Sequence, residues 1–318
     1  MRIIGTGSYM PEYILTNEEL THIVDTSDEW ITERTGIKER RISKGEEDSD
    51  IIKKAGAAAL KDSGIDPMEL DMIVVGTFTN DYRTPSVSCI VQKEIGAYNA
   101  FCMDLNAACS GFLYSLQTAY AYMQAGLIKK ALVIAGDNLS KMTDYTDRST
   151  AVLFGDAAGA AVIDNTNCGS YSCILGTDAS KSEALVYKDV PLVNLYVKNE
   201  IKLDHLHMDG RMVHKFVMST IPKTIEEVIK KANISKNDVK YVLLHQANKK
   251  MNDMVAKKLD MELEKFPHNI ERTGNTSAAT IPCLLDEMNK DHKLNRGDKI
   301  IMCGFGGGLT WGAILLEW

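Results

Sequence analysis

The sequence predicts an α/β fold made of two similar halves, and three observations predict it. Four blocks recur in the same order at near-constant spacing. The strand candidates are short aliphatic runs without alternation. The segments between them carry helical periodicity. Ile65 in "GIDPMELDMIVVGT" matches Ile234 in "NISKNDVKYVLLHQ", and Val75 matches Leu244, both 169 residues apart. Gly136 of "ALVIAGD" matches Gly304 of "KIIMCGF" at 168. "IIGTGS" at Ile3 matches "ILGTDA" at Ile174 at 171, and "GAAVI" at Gly159 matches "GAILL" at Gly312 at 153. Collinear matches of this kind mark a duplication, with halves expected at 1–168 and 169–318.

Each half is expected to run β, helix, β, helix, β, β. "MIVVG", "ALVIA", "YVLLH" and "IIMCG" are continuous apolar runs, which suit strands buried on both faces. "IIKKAGAAALKDSG" and "IPKTIEEVIKKAN" are amphipathic helices that would cover those faces. Two such halves packed together give a layered α-β-α-β-α arrangement.

Composition bounds the function. The chain has 318 residues, 45% hydrophobic and 25% charged, enough apolar material for a large core. A net charge of −7 disfavours nucleic-acid binding. The cysteines Cys89, Cys102, Cys109, Cys168, Cys173, Cys283 and Cys303 form no C-x-x-C pair, and no histidine clusters with them, so no metal site is expected. "MRIIGTGSYMPEY" is not a signal peptide, and no apolar run is long enough to span a membrane. A cytoplasmic protein is expected.

Cys109 stands in "DLNAACSGFLYSLQTAYAYMQAG" between a strand end, "FCMDL", and a helix whose apolar residues Phe112, Leu116 and Met123 recur at helical spacing. Gly126 fits the residue after that helix. A thiol at a helix N-terminus meets unpaired N–H groups and a positive dipole, so its pKa is expected to fall. Ala107, Ala108, Ser110 and Gly111 leave room for a substrate. The alternative is a small buried hydrophobe, which is the reading kept for the other six cysteines.

The second half supplies possible partners. His245 follows four apolar residues, at a strand's C-terminal end, where ligands of parallel sheets gather; a solvent-facing terminal histidine is the alternative. Ser277, in "ERTGNTSAATIPCLLDEM", is the expected repeat counterpart of Cys109, and Asn275 sits at the tip of that turn. A cysteine, a histidine and an amide together suggest nucleophilic acyl chemistry. In "GFGGGLTWG", Gly306, Gly307 and Gly308 free the backbone to point N–H groups at an oxygen. A phosphate loop would need G-x-x-x-x-G-K-[ST], and no such motif is present.

"DLNAACSGF", "LLHQAN", "GNTSAA" and "GFGGGLTWG" occur in order, joined by "SDEWITERTGIKER" and "DRSTAVLFGDAAGAAV". Over essentially its full length the chain resembles β-ketoacyl-acyl-carrier-protein synthase III, of the thiolase superfamily. The resemblance implies a duplicated thiolase-like fold, a homodimer and initiation of type II fatty-acid synthesis without a cofactor. Cys109 would be acylated by a short acyl-CoA. Malonyl-acyl-carrier protein would then lose CO2 and attack the acyl-enzyme, while His245 and Asn275 hold the thioester oxygen. The backbone N–H groups of Cys109 and Gly307 would form the oxyanion hole.

The same resemblance assigns Trp30 and Arg148 to the adenine of CoA, Arg34 of the same matched segment to CoA binding, and Asn248 to the pantetheine arm. It assigns Lys250, Lys257 and Lys258 to the acidic carrier protein; a solvated helix face is the alternative for these lysines. Three departures bear on the primer and the CoA channel. Thr84 stands where relatives commonly carry Phe, in a pocket shared with the partner subunit. His214 replaces another Phe, and residues 180–205 match poorly. Related readings are a condensing enzyme of polyketide or quinolone synthesis, a CoA-dependent acyltransferase without condensation, and a non-catalytic carrier-binding protein.

Overall fold

The computed structural model describes residues 1–166, 169–202 and 204–318. Cys168 and the expected boundary at 168 fall outside the described residues.

The first half runs β1 (Arg2–Tyr9), α1 (Asp48–Ser63), β2 (Met72–Gly76), α2 (Val87–Ile95), β3 (Phe101–Leu105), α3 (Gly111–Gln124), β4 (Lys130–Asp137) and β5 (Ala157–Asp164). Its sheet has the order β1-β5-β4-β2-β3, with β2 parallel to β3 and β4, and β5 antiparallel to β4 and β1. The second half runs β6 (Tyr171–Thr177), α4 (Gly210–Lys231), β7 (Val239–Leu244), α5 (Lys249–Leu259), α6 (Thr280–Lys290), β8 (Lys299–Gly306) and β9 (Thr310–Glu317). Its sheet, β7-β8-β9-β6, repeats the same directions. It has four strands. A helical turn, Ile270–Thr273, stands where β3 would be repeated.

The layers follow from two-sided burial. Met72 and Val74 of β2 face inward onto Phe112, Leu113 and Leu116 of α3, which also packs with Ile281 and Leu284 of α6 and with Ile300 and Met302 of β8. Ile73 and Val75 face outward onto Ile51, Ile52 and Ala55 of α1 and Val87 of α2. Val242, Ile301 and Leu315 likewise carry α4 and α5 on the second sheet's outer face. Helices α3 and α6 therefore form one central layer shared by both sheets, which gives α-β-α-β-α. Continuous apolar runs are what strands covered on both faces require.

The observed register corrects two matches. The turn Ala108–Ser110 repeats as Ser277–Ala279, each opening on a positive-φ residue, Ala108 at 47° and Ser277 at 52°. The counterpart of Cys109 is thus Ala278, not Ser277. In the ladders Ser8 lies opposite Gly159 and Leu175 opposite Gly312, so the first strands repeat at 167 rather than 171.

Candidate active site

Cys109 is placed by three local causes. After β3, the Asn106 side chain accepts the backbone N–H of Ala108 at 3.1 Å and turns the chain. Gly111 then meets Gly76, where a Cβ would come within 2.8 Å of the Gly111 carbonyl carbon, so α3 starts directly on the end of β2. Gly306 of β8 backs Cys109: a Cβ there would lie 2.6 Å from the Cys109 nitrogen. The second half builds the same turn. Asn275 Oδ1 accepts the Ser277 N–H at 2.9 Å, and Ala278 supports Gly111 from the other side.

His245 leaves the end of β7 with its N–H donated to Cys303 O at 2.8 Å. Its ring packs edge-on against Phe305 with centroids 5.1 Å apart, and Nδ1 lies 2.7 Å from Thr280 Oγ1. Asn275 is clamped through its backbone, donating to Leu153 O and accepting from Gly155 N, which leaves its side-chain NH2 for the cavity.

Cys109, His245, Asn275 and Gly307 all line one cavity of about 410 Å³. Phe78, Leu139, Phe154, Leu206, Val213 and Phe216 make its walls apolar. Cys109 is 8% exposed, His245 1% and Asn275 7%, so water is largely shut out of the polar floor. An apolar cavity with a few convergent polar groups is the usual form of a small-molecule site.

The electrostatics correct one expectation. Burial pushes the Cys109 thiol up to about 12, against the lowering effect of the Ser277 hydroxyl, which donates to the sulfur at 3.4 Å. Desolvation is the largest influence on the sulfur, so Cys109 rests as a thiol. Burial also lowers His245 to about 3, so the ring is neutral.

Two guanidinium groups lie near the Trp30 ring, Arg34 at 5.2 Å and Arg148 at 4.9 Å from its centroid. Asn248 caps α5, accepting Met251 N–H, and donates to Arg34 O at 2.9 Å. Lys250, Lys257 and Lys258 are exposed on α5. Lys258 is tied to Met218 O at 2.8 Å, and Lys250 lies 3.9 Å from Glu33. Thr84 is exposed and does not line the Cys109 cavity of its own chain. His214 is exposed near the start of α4, while its neighbour Val213 lines the cavity. The poorly matching segment 180–205 supplies Leu185 and Tyr187 to the wall.

Sequence reasoning missed Thr280, and it missed the support beneath the second turn. Asp137, at the end of β4, accepts Phe78 N–H at 3.1 Å and Ala278 N–H at 3.4 Å. Thr77 and Thr79 hydroxyls lie within hydrogen-bond distance of both Asp137 and the buried Asp48. Burial raises both carboxyls above the ordinary range, and Asp137 raises Asp48 further. The terminal Asp of "ALVIAGD" was the available signal, a carboxylate directly after an apolar strand. Among the described residues, no cluster of His, Cys, Asp and Glu could hold a metal ion, and no helix is long and apolar enough to cross a membrane.

Comparison with known proteins agrees with this geometry. Residues 103–180 match the family described as 3-oxoacyl-[acyl-carrier-protein (ACP)] synthase III, and residues 229–318 match its C-terminal region. The chain is 47% identical over 320 residues to the β-ketoacyl-[acyl-carrier-protein] synthase III of Clostridium acetobutylicum, covering 100% of this chain and 98% of that one. The Aquifex aeolicus VF5 3-oxoacyl-[acyl-carrier-protein] synthase III structure superposes with a TM-score of 0.93 at 41% identity, covering 100% and 99% of the two chains. The priming β-ketosynthase of the R1128 polyketide pathway superposes at 0.94 with 32% identity, covering 99% and 95%. With these matches spanning its whole length, the chain belongs to the β-ketoacyl-[acyl-carrier-protein] synthase III family, on the fold those enzymes share.

Proposed function

We propose that this chain condenses a short acyl-CoA primer with malonyl-acyl-carrier protein, releasing CO2 and initiating type II fatty-acid synthesis. The observation that carries the reading is the convergence of Cys109, His245 and Asn275, from three separate turns, on one apolar cavity. Cys109 sulfur attacks the thioester carbonyl of acyl-CoA. The new C–S bond forms as the bond to CoA breaks, and the thiol proton leaves with the CoA sulfur. The backbone N–H groups of Cys109 and Gly307 hold the oxyanion. Malonyl-carrier protein then loses CO2, and His245 and Asn275 donate to the enolate oxygen. The carbanion attacks the acyl-cysteine and Cys109 leaves as thiolate, to be reprotonated. A thiol that rests protonated fits this cycle, because the nucleophile is needed only with substrate present.

CoA lies along Trp30, Arg34 and Arg148 at its adenine end and Asn248 at its pantetheine arm. An adenine between Trp30 and Arg148 needs roughly 7 Å, two van der Waals contacts, so Arg148 swings off the ring when CoA enters. Lys250, Lys257 and Lys258 receive the acidic carrier protein. The enzyme works in the cytoplasm as a homodimer, paired through β3, which has a neighbour on one side only and exposes Phe101. Thr84 then closes the partner's acyl pocket. The halves 1–168 and 169–318 act as one unit because they share the α3–α6 layer. No cofactor enters this chemistry. Identity of 47% to a fatty-acid synthase III, against 32% to a polyketide-priming enzyme, places the fatty-acid reading first.

Mass spectrometry after incubation with a panel of acyl-CoAs tests the acyl-enzyme, and labelled CO2 release from malonyl-carrier protein tests condensation. Cys109→Ala loses the acyl adduct. His245→Ala and Asn275→Ala keep the adduct and lose condensation. Equal loss of both steps would make His245 the base for the thiol instead.

A further inference from the structure

The His245 ring is buried and neutral, so it carries a single N–H. Which nitrogen holds that proton decides what the cavity meets. Nδ1 faces Thr280 Oγ1 at 2.7 Å, which leaves Nε2 as the ring nitrogen toward the cavity. With the proton on Nδ1, the cavity would meet a lone pair, which repels an enolate. With the proton on Nε2, it meets a donor.

Thr280 has one hydroxyl proton and two acceptors in reach, His245 Nδ1 at 2.7 Å and Ser277 O at 3.0 Å. Ser277 O already accepts the backbone N–H of Thr280 itself. That carbonyl can accept twice, so it is satisfied with or without the hydroxyl, whereas an Nε2–H ring leaves a buried Nδ1 lone pair that needs a donor, and Thr280 Oγ1 is the hydroxyl in reach. We propose that Thr280 is a positioning residue that donates its hydroxyl proton to His245 Nδ1 and so fixes the ring as the Nε2–H tautomer that points a donor into the cavity. Thr280 is the first residue of α6, and Ile281, Pro282 and Leu284 bury that turn in the central layer, so the hydroxyl is held in place. This inference rests on the condensation reading, because only an enolate makes an Nε2–H necessary.

The test uses Thr280→Val, which keeps the shape and removes the hydroxyl, and Thr280→Ser, which restores the hydroxyl. Two-bond 15N–1H correlations of 15N-histidine-labelled protein report the His245 tautomer directly, in the wild type and in each variant. The expected result is Nε2–H in the wild type and in Thr280→Ser, and a mixed or Nδ1–H ring in Thr280→Val. Malonyl decarboxylation and condensation should fall about 10–100-fold in Thr280→Val, by analogy with the loss of an orienting partner from a metal-bound histidine. Acyl-enzyme formation should stay within a few-fold, and Thr280→Ser should recover condensation. An Nδ1–H ring in the wild type overturns the proposal, and so does unchanged condensation with an unchanged spectrum in Thr280→Val. Were Thr280→Val not to fold, the wild-type and Thr280→Ser spectra still decide. Undiminished condensation in His245→Ala would instead refute the condensation role of His245 itself, while the spectra would still report what Thr280 does to the ring.

Discussion

Replacing Gly306 with alanine tests how the nucleophile is held. The new Cβ would lie 2.6 Å from the Cys109 nitrogen, 3.1 Å from Cys109 Cβ and 3.2 Å from Ala108 Cβ. Ordinary contact begins near 3.4 Å, so something must retreat by about 0.8 Å. Gly306 is held by its pairing with Thr310 at the end of the β8–β9 ladder. The Ala108–Ser110 turn is short and leads into α3, so it is the part that yields. A shift of that size at a reacting atom costs about a hundredfold in rate, and overpacking of this kind costs about 1–3 kcal/mol of stability. The assay is rapid-quench mass spectrometry of acyl-enzyme formation from acetyl-CoA, beside thermal unfolding. Malonyl decarboxylation serves as the control, because the three atoms nearest the new Cβ belong to Cys109 and Ala108 and not to His245 or Asn275. Wild-type acylation and an unchanged Tm in Gly306→Ala would refute the close-packing argument.

Three further outcomes are expected. With the Cys109 thiol pushed up to about 12, the thiolate fraction rises about tenfold per pH unit throughout the range below that value; alkylation of the free enzyme by iodoacetamide should rise steadily from pH 7 to 9, and a plateau near pH 7 would show that the helix N-terminus prevails over burial. Trp30→Ala should raise KM for acyl-CoA by roughly tenfold, within a base–aromatic stacking contribution of about 1–3 kcal/mol, and leave kcat and turnover of acyl-pantetheine unchanged; an equal loss with acyl-pantetheine would remove Trp30 from the adenine site. Thr84→Phe should narrow the accepted primers, read as kcat/KM for acetyl-, butyryl-, isobutyryl- and octanoyl-CoA, since a ring obstructs by overlap while each added methylene gains only about 0.8 kcal/mol; a wild type that rejects everything beyond acetyl would overturn the pocket argument.

The sequence by itself determined the sheets and the candidate reacting groups. "MIVVG" and "IIMCG" lack alternation because both faces of those strands are covered, and that mark survives without coordinates. Cys109 was legible as a cysteine among small residues between a strand and a helix, His245 because it stands directly at a strand end, and Asn275 because it opens a turn of small residues. Tertiary structure alone decided three things. It set the repeat register at the active turns, because φ at Ala108 and Ser277, not residue type, aligns Cys109 with Ala278. It set the thiol's protonation, because desolvation is the summed effect of walls drawn from both halves. And it brought Thr280 to His245 across 35 residues of chain. Nothing distinguishes that threonine in the sequence from any other at a helix start; only the meeting of α6 with the end of β7 gives its hydroxyl a histidine to face.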